Sequence, residues 1–298
     1  MTLPPRVTPP APEQVATDVA RALAEDLGSG DVTAALLPDA DAVAQLLCKQ
    51  DCIIAGGPWF DACHRSLDRA VRITWHCKEG DRVQAGMVLA TVEGRSRALV
   101  SAERTSLNFM QTLSAVATTT AAYVDAVRDA RAPAPDPQIL DTRKTLPGLR
   151  SAQKYAVRVG GGVNHRTGLF DAVMLKENHI RTTGSLVGAI QAARAAQPSL
   201  PLIVEVETLT QLREALDAGC TRILIDDFSQ DDRREAVRIA QAAPYHGRIP
   251  LEVSGSVDLT TVRAIAADGV DCISVGGLTK HIRAIDLSLK FSSSAHPS

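Results

Sequence analysis

From residue 138 onward, short apolar runs alternate with polar turns and helical patterns. The apolar runs cover residues 138–141, 172–175, 202–206, 222–225, 250–253 and 272–275; the helical patterns cover 184–196, 209–218, 231–243, 259–267 and 282–291. This alternation constrains the fold more than any other feature. Strands joined by helices must lie parallel, because a helical crossover returns the chain to the same end of the sheet. Six units rather than eight predict an open, incomplete or seven-stranded (β/α) barrel. A doubly wound open sheet is the other architecture that the pattern permits.

The preceding part of the chain has a different rhythm. A helix is expected over 14–27, stopped by the Gly28-Ser29-Gly30-Asp31 break. Strands are expected at 42–48, 52–55, 71–76 and 88–93, and helices at 58–67 and 102–129, the last with Ser101 as its N-cap. The segment 80–86 resembles the hammerhead of biotinyl and lipoyl domains, but no lysine occupies the carrier position, so it reads as architecture. The Pro-rich segment 1–12 lacks an apolar signal core and reads as a disordered lead-in. The expected organisation is this lead-in, a smaller mixed α+β domain over 13–115, and a catalytic α/β barrel domain over 116–298. The helix at 282–291 is expected to pack back on the N-terminal domain.

Charge is unevenly placed. The whole chain of 298 residues has a net charge of −2, yet residues 141–179 hold seven Lys or Arg against three Asp or Glu, a local charge of +4. A basic cluster in a near-neutral protein points to a pocket for a polyanion rather than a generally basic surface. Within it, Arg143 and Lys176 directly follow apolar runs, whereas the spacing of Lys154 and Arg158 predicts an exposed helix stripe. The overall charge and an aromatic content of 3% argue against nucleic-acid binding. No apolar run approaches the ~18 residues of a membrane span. The six cysteines include no CxxC pair, and the spacing of Cys63-His64 and His76-Cys77 fits no common zinc site. A reducing, cytoplasmic setting suits this pattern.

The strand ends carry the chemistry. In chain order they present Arg143-Lys144, Lys176, Glu205 with Glu207, Asp226-Asp227, Ser254-Gly255-Ser256 and Gly276-Gly277. In a barrel these converge on the C-terminal face, where such enzymes place their sites. Arg and Lys suit carboxylates and phosphates. Glu205 and Asp226 suit ribose hydroxyls or a Mg²⁺ ion. The two glycine turns let backbone amides approach a phosphate and lead towards helices. The Gly160-Gly161-Gly162 run does not have the spacing of a dinucleotide fingerprint.

Several motifs together resemble the quinolinate phosphoribosyltransferase family: EDLGSGDVT at 25–33, ERTSLNFMQTLSAVAT at 103–118, the block 141–179 through KENH, VEVET at 204–208, DDF at 226–228 and EVSGSV at 252–257. The resemblance implies transfer of a phosphoribosyl group from phosphoribosyl pyrophosphate to quinolinate with decarboxylation and Mg²⁺, giving nicotinate mononucleotide, pyrophosphate and CO2 for NAD biosynthesis. It also implies a homodimer. By resemblance, Arg143, His165 and Arg166 bind the quinolinate carboxylates, joined by Arg104 from the neighbouring subunit. Lys144 and Lys176 lie between quinolinate and donor. Glu205 and Asp226 lie near the ribose and metal, and Ser254, Gly255, Ser256, Gly276 and Gly277 hold phosphate. Many relatives have His directly after the Leu-Thr of the last loop; here Lys280 precedes His281, so either is a phosphate candidate. The alternatives are a related phosphoribosyltransferase-like protein, such as the molybdenum-associated paralogue or an enzyme using nicotinate, a barrel aldolase or decarboxylase, and a non-catalytic anion-binding relative.

Overall fold

The computed structural model describes residues 7–291. In chain order its elements begin with α1 (Pro12–Leu27), β1 (Asp41–Cys48), β2 (Cys52–Ile53), α2 (Gly57–Leu67), β3 (Arg72–Trp75), β4 (Arg82–Val83), β5 (Val88–Arg95) and α3 (Ser96–Val127). There follow β6 (Gln138–Leu140), α4 (Arg150–Val159), β7 (Val173–Leu175), α5 (Glu177–Thr183), α6 (Leu186–Ala196), β8 (Leu202–Val206), α7 (Leu209–Ala218), β9 (Arg222–Asp226) and α8 (Gln230–Gln241). The last are β10 (Leu251–Ser254), α9 (Val262–Ala267), β11 (Cys272–Ser274), α10 (Gly277–Lys280) and β12 (Leu287–Phe291). The chain forms two compact units. The first holds residues 1–121, 146–161 and 281–298; the second holds 122–145 and 162–280. Residues 1–6 of the expected lead-in lie outside the described residues, and α1 begins at Pro12.

The first unit is α+β. Its four-stranded sheet runs β12-β1-β5-β3, antiparallel throughout. Leu46, Ala44, Val92, Ala90, Leu287 and Leu289 of these strands pack into one core with Leu99, Leu107 and Met110 of α3. The start of α2 is held by Glu79, whose carboxylate accepts the Gly57 N–H at 2.7 Å and the Gly56 N–H at 3.2 Å. An acid at a helix N-terminus satisfies the orphan amides and the positive end of the helix together.

Three expectations fail in this unit. Residues 282–291 contain the strand β12 rather than a helix. Leu287 and Leu289 face the core while Ser288 and Lys290 alternate with them, a period of two, and β1 supplies the hydrogen-bonding edge. Ser101 is no N-cap; α3 starts five residues earlier, and the Ser101 hydroxyl donates to Asp31 at 2.8 Å. Lys154 is buried rather than exposed, because α4 is covered on every side from Ala152 to Val157. Arg158 is half-buried and donates to the Thr8 carbonyl.

The second unit is built on a six-stranded parallel sheet of order β6-β11-β10-β9-β8-β7. The order advances in one direction from β7 to β11, and β6 then pairs with β11. A doubly wound sheet would reverse at a switch point; this order is a ring broken once, between β6 and β7, so the sheet is an open barrel. At the free edge of β6, Val163 forms an isolated parallel bridge with Leu140 and so begins to fill the gap. All six apolar runs become strands. Strands buried this thoroughly need near-continuous apolar sequence, and Ile223, Leu224, Ile225, Val204 and Ile273 supply it.

Candidate active site

Register decides which strand-end residues share a face. Met174 lies level with Ile203, Glu205 level with Leu224, and Leu224 level with Glu252. Ala172, Met174, Ile203 and Leu224 form a small apolar cluster. Since side chains alternate along a strand, Lys176, Glu205, Asp226 and Ser254 continue that same face beyond the cluster, towards the C-terminal ends of their strands. The apolar cluster is a floor, and the charged residues stand above it.

The charged residues occur in engaged pairs. Lys176 Nζ donates to Glu205 Oε2 at 2.5 Å. Ser254 Oγ donates to Asp226 Oδ1 at 2.5 Å, between strands that are directly paired at those two residues. Glu207 lies outside β8, in the turn before α7, with its N–H bonded to the Gln211 side chain. It does not continue the face of Glu205 as strand alternation predicts.

Arg143 and Arg166 lie close enough to interact electrostatically. Burial first, and then the Arg143 charge, lower the Arg166 guanidinium from its ordinary value. Arg166 reaches across to the Ala172 carbonyl at 3.4 Å and the Met174 sulfur at 3.6 Å. Its loop is stapled by Asp171, which accepts the Thr167 and Gly168 N–H groups. His165 is buried, and Asp141 fixes its approach by accepting the His165 N–H at 2.8 Å and the Asn164 amide at 2.6 Å.

The glycine turns differ from the expectation in one respect. Neither feeds a long helix: residues 255–261 separate β10 from the six-residue α9, and Gly277 itself opens the four-residue α10. Any phosphate held here would meet backbone amides rather than a substantial helix dipole. Gly255 adopts φ +126°, a region closed to most side chains, and a Cβ there would meet Asp227 Oδ1 at 3.3 Å. Asp227 is itself left-handed at φ +53°. A Cβ on Gly276 would stand 3.2 Å from Lys144 Cδ and 3.8 Å from Lys280 Cε. The backbone at Gly276 is thus flanked by two lysine chains, and Thr279 Oγ1 ties this turn to the Lys144 carbonyl at 2.8 Å.

The fold therefore gathers Arg143, Lys144, His165, Arg166, Lys176, Glu205, Asp226, Ser254, Gly255, Ser256, Gly276, Gly277 and Lys280 in the second unit. Arg104, exposed on α3, and His281, exposed ahead of β12, belong to the first unit. Among the described residues, no group of three or more His, Cys, Asp or Glu could hold a metal ion. Glu205 and Asp226 are already engaged by Lys176 and Ser254, so they fit a Mg²⁺ ion only if substrate phosphates supply most of its ligands. Sequence reasoning missed Glu252, Arg222, Ser274, Asp141 and Asp171, which hold the pocket from behind. The only signal for the three acids was their place within or beside an apolar run, as in Leu251-Glu252-Val253; Arg222 and Ser274 carried none.

Comparison with known proteins agrees over nearly the whole chain. The profile described as quinolinate phosphoribosyl transferase, C-terminal domain, matches residues 116–290, and that of the N-terminal domain matches 31–114. The nicotinate-nucleotide pyrophosphorylase [carboxylating] of Mycobacterium leprae is 42% identical over 280 residues, covering 91% of this chain and 95% of that protein. The solved nicotinate-nucleotide pyrophosphorylase of Francisella tularensis superposes with a TM-score of 0.89 at 40% identity, covering 97% of this chain and all of that one (100%). That of Ehrlichia chaffeensis gives 0.85 at 33% identity, covering 93% and 98%. With both domain profiles matched in order and the barrel carrying the strand-end residues of the resemblance, the chain belongs to the quinolinate phosphoribosyl transferase family.

Proposed function

We propose that this protein transfers the phosphoribosyl group of phosphoribosyl pyrophosphate to quinolinate and releases pyrophosphate and CO2, forming nicotinate mononucleotide for NAD biosynthesis. Membership of the family supports the activity. One observation carries the choice of acceptor: Arg143 and Arg166 lie within electrostatic reach of each other despite their like charges. Two guanidiniums within reach of one another suit a ligand with two carboxylates, each able to take a bidentate partner. Nicotinate, with one carboxylate, would leave one of them unpaired.

In this reading Arg143 and Arg166 hold the pyridine diacid, His165 stands behind Arg166 with both ring nitrogens already engaged rather than binding a carboxylate itself, and Arg104 of the partner subunit completes the pocket. Lys144, Lys280 and the amides around Ser254–Ser256 and Gly276–Gly277 receive the phosphates of the donor, with His281 as a further phosphate candidate. The pyridine nitrogen lone pair attacks the anomeric carbon as the bond to pyrophosphate breaks, and that bond's electron pair leaves with pyrophosphate. Positive charge develops on the ribose ring, and Glu205 and Asp226 stabilise it from fixed positions. A donor-borne Mg²⁺, met by Asp226 and Glu205, would neutralise charge on the departing pyrophosphate. The ribosylated nitrogen is then a cationic electron sink. The C2 carboxylate leaves as CO2, its bonding pair stays on C2, and a lysine ammonium of Lys144 or Lys176 returns a proton there. Most of the acceleration comes from positioning and electrostatics.

A homodimer belongs to the same proposal. Leu169 and Phe170, which are 73% and 75% exposed, and Val32 and Leu36 of the first unit are large apolar side chains left to solvent. Such groups suit burial against a second copy. No helix of the described residues is long and apolar enough to cross a membrane, and the cytoplasm is the proposed setting. Incubation with quinolinate, phosphoribosyl pyrophosphate and Mg²⁺ tests the activity: nicotinate mononucleotide and CO2 should appear together. Neither product, or equal turnover of nicotinate without CO2, would overturn the assignment.

A further inference from the structure

A buried acid lies behind the pocket. Glu252, on β10, is 0% exposed. Three donors converge on its carboxylate: the His165 ring at Nε2, 3.3 Å away, the Arg222 guanidinium at 3.1 Å, and the Ser274 hydroxyl. Burial raises the Glu252 pKa, but the hydrogen bonds from His165 and Ser274 and the Arg222 charge outweigh it and hold the carboxyl below its ordinary value. A buried carboxylate without such partners would be too costly to keep.

The other ring nitrogen of His165 is also engaged. Nδ1 accepts the backbone N–H of Arg166 at 2.7 Å. A nitrogen that accepts a hydrogen bond carries no proton, so the ring proton sits on Nε2, facing Glu252. The other tautomer would place N–H against N–H on one side and a lone pair against the carboxylate on the other, and turning the ring over would put carbon atoms in place of both nitrogens. The ring is therefore locked, and it locks the Arg166 backbone with it. From the far side, Asp141 holds the His165 N–H. The His165-Arg166 pair is thus slung between two carboxylates, and the Arg166 side chain extends from that anchor to β7.

We infer that Glu252 is a positioning residue for the acid pocket: through His165 it fixes the backbone of Arg166, and so holds the Arg166 guanidinium beside that of Arg143. The proposed quinolinate activity supplies only what fills the pocket. Two like charges repel, and a loop without an internal anchor would let them separate before the diacid arrives. Pre-paying that alignment shows in acceptor binding rather than in donor binding. A cluster serving stability alone would leave both substrate affinities unchanged.

The first test uses the wild-type protein. Nitrogen NMR of histidine-labelled protein, with the signal assigned by its loss in His165→Phe, should show His165 with Nε2 protonated and Nδ1 bare; a neutral ring with the proton on Nδ1 overturns the relay whether or not the protein turns over quinolinate. The second test is kinetic. Glu252→Gln should raise the quinolinate KM about tenfold, as loss of an outer-shell partner commonly does, and leave the donor KM within about twofold. Glu252→Asp, which keeps the charge on a shorter arm, should fall between. An unchanged quinolinate KM in folded Glu252→Gln, or an equal rise in both KM values, overturns the proposal. If Glu252→Gln does not fold, Glu252→Asp is read against the same outcomes. If the wild type makes no nicotinate mononucleotide, the activity reading fails instead, and quinolinate binding by calorimetry replaces KM.

Discussion

Lys176 Nζ donates to Glu205 Oε2 at 2.5 Å, joining the ends of the neighbouring parallel strands β7 and β8. Neither residue is fully buried; the lysine side chain is 48% exposed and the glutamate 13%. The pair therefore faces the open end of the barrel, where a substrate can reach it. Replacing Lys176 by Ala removes both a donor-side cation and one candidate proton source, and kcat should fall by roughly 10²–10⁴-fold. Glu205→Gln keeps an acceptor for Lys176 but loses the charge proposed to face the ribose, and should lower kcat while leaving the quinolinate KM near wild type. Steady-state kinetics on both variants check this.

Arg143→Ala should weaken quinolinate far more than phosphoribosyl pyrophosphate. Truncating one member of a desolvated charge pair costs about 2–5 kcal/mol, which is roughly 30-fold or more in affinity. Calorimetric titration with each substrate separates the two effects. Equal weakening would remove Arg143 from the acid pocket.

Arg104→Ala and Lys176→Ala chains, each inactive alone, should regain partial activity when mixed and allowed to exchange subunits. In the proposed homodimer, a mixed pair would place one intact Arg104 with one intact Lys176 in the same site. Heterodimers that form and remain inactive would place the whole site within one chain.

His64 makes acid stability testable. It is 1% exposed, neither ring nitrogen has a hydrogen-bond partner among the described residues, and its ring packs 4.6 Å from that of Phe60. Burial pushes its pKa down from 6.5 to about 4. Above pH 6.5 both folded and unfolded states are neutral at this residue, and stability is unaffected. As pH falls from 6.5 towards 4, the unfolded chain takes up a proton that the folded protein refuses, so stability is lost, by about 3 kcal/mol at most. His64→Leu should flatten this limb in urea melts across that window.

Gly160 ends α4, and a Cβ there would stand 2.3 Å from the Ala117 carbonyl oxygen and 2.8 Å from Thr120 Cβ on α3. A carbonyl inside a helix cannot step aside. Gly160→Ala should cost about 1–3 kcal/mol or more of stability, read as a lowered melting temperature. The Gly160-Gly161-Gly162 run thus serves close packing rather than a nucleotide.

The barrel was legible because its signals are local. Each of the six apolar runs is long enough to mark a buried strand, and the polar residue that ends each run is the one the fold presents at the C-terminal end. Residues 282–291 misled for the opposite reason. Ile282, Ile285 and Leu289 fit helical spacing as well as Leu287 and Leu289 fit a strand, and only the edge of β1, distant in sequence, decides between them.

By itself, the sequence determined parallel strands alternating with helices, with cations, acids and glycine turns at the strand ends, since hydrophobic period is written residue by residue; the strand order that makes the sheet an open barrel came from the structure. Helical spacing set Lys154 and Arg158 apart within the positive block of 141–179, and the tertiary structure completed the division. It sent Arg150, Lys154 and Arg158 with α4 into the first unit and left Arg143, Lys144, His165, Arg166 and Lys176 in the second. It also placed Glu252 behind His165, Asp141 behind the loop at 164–165, and Arg166 beside Arg143. Those relationships depend on strand register and on loops meeting across the sheet. Periodicity along the chain carries no record of either.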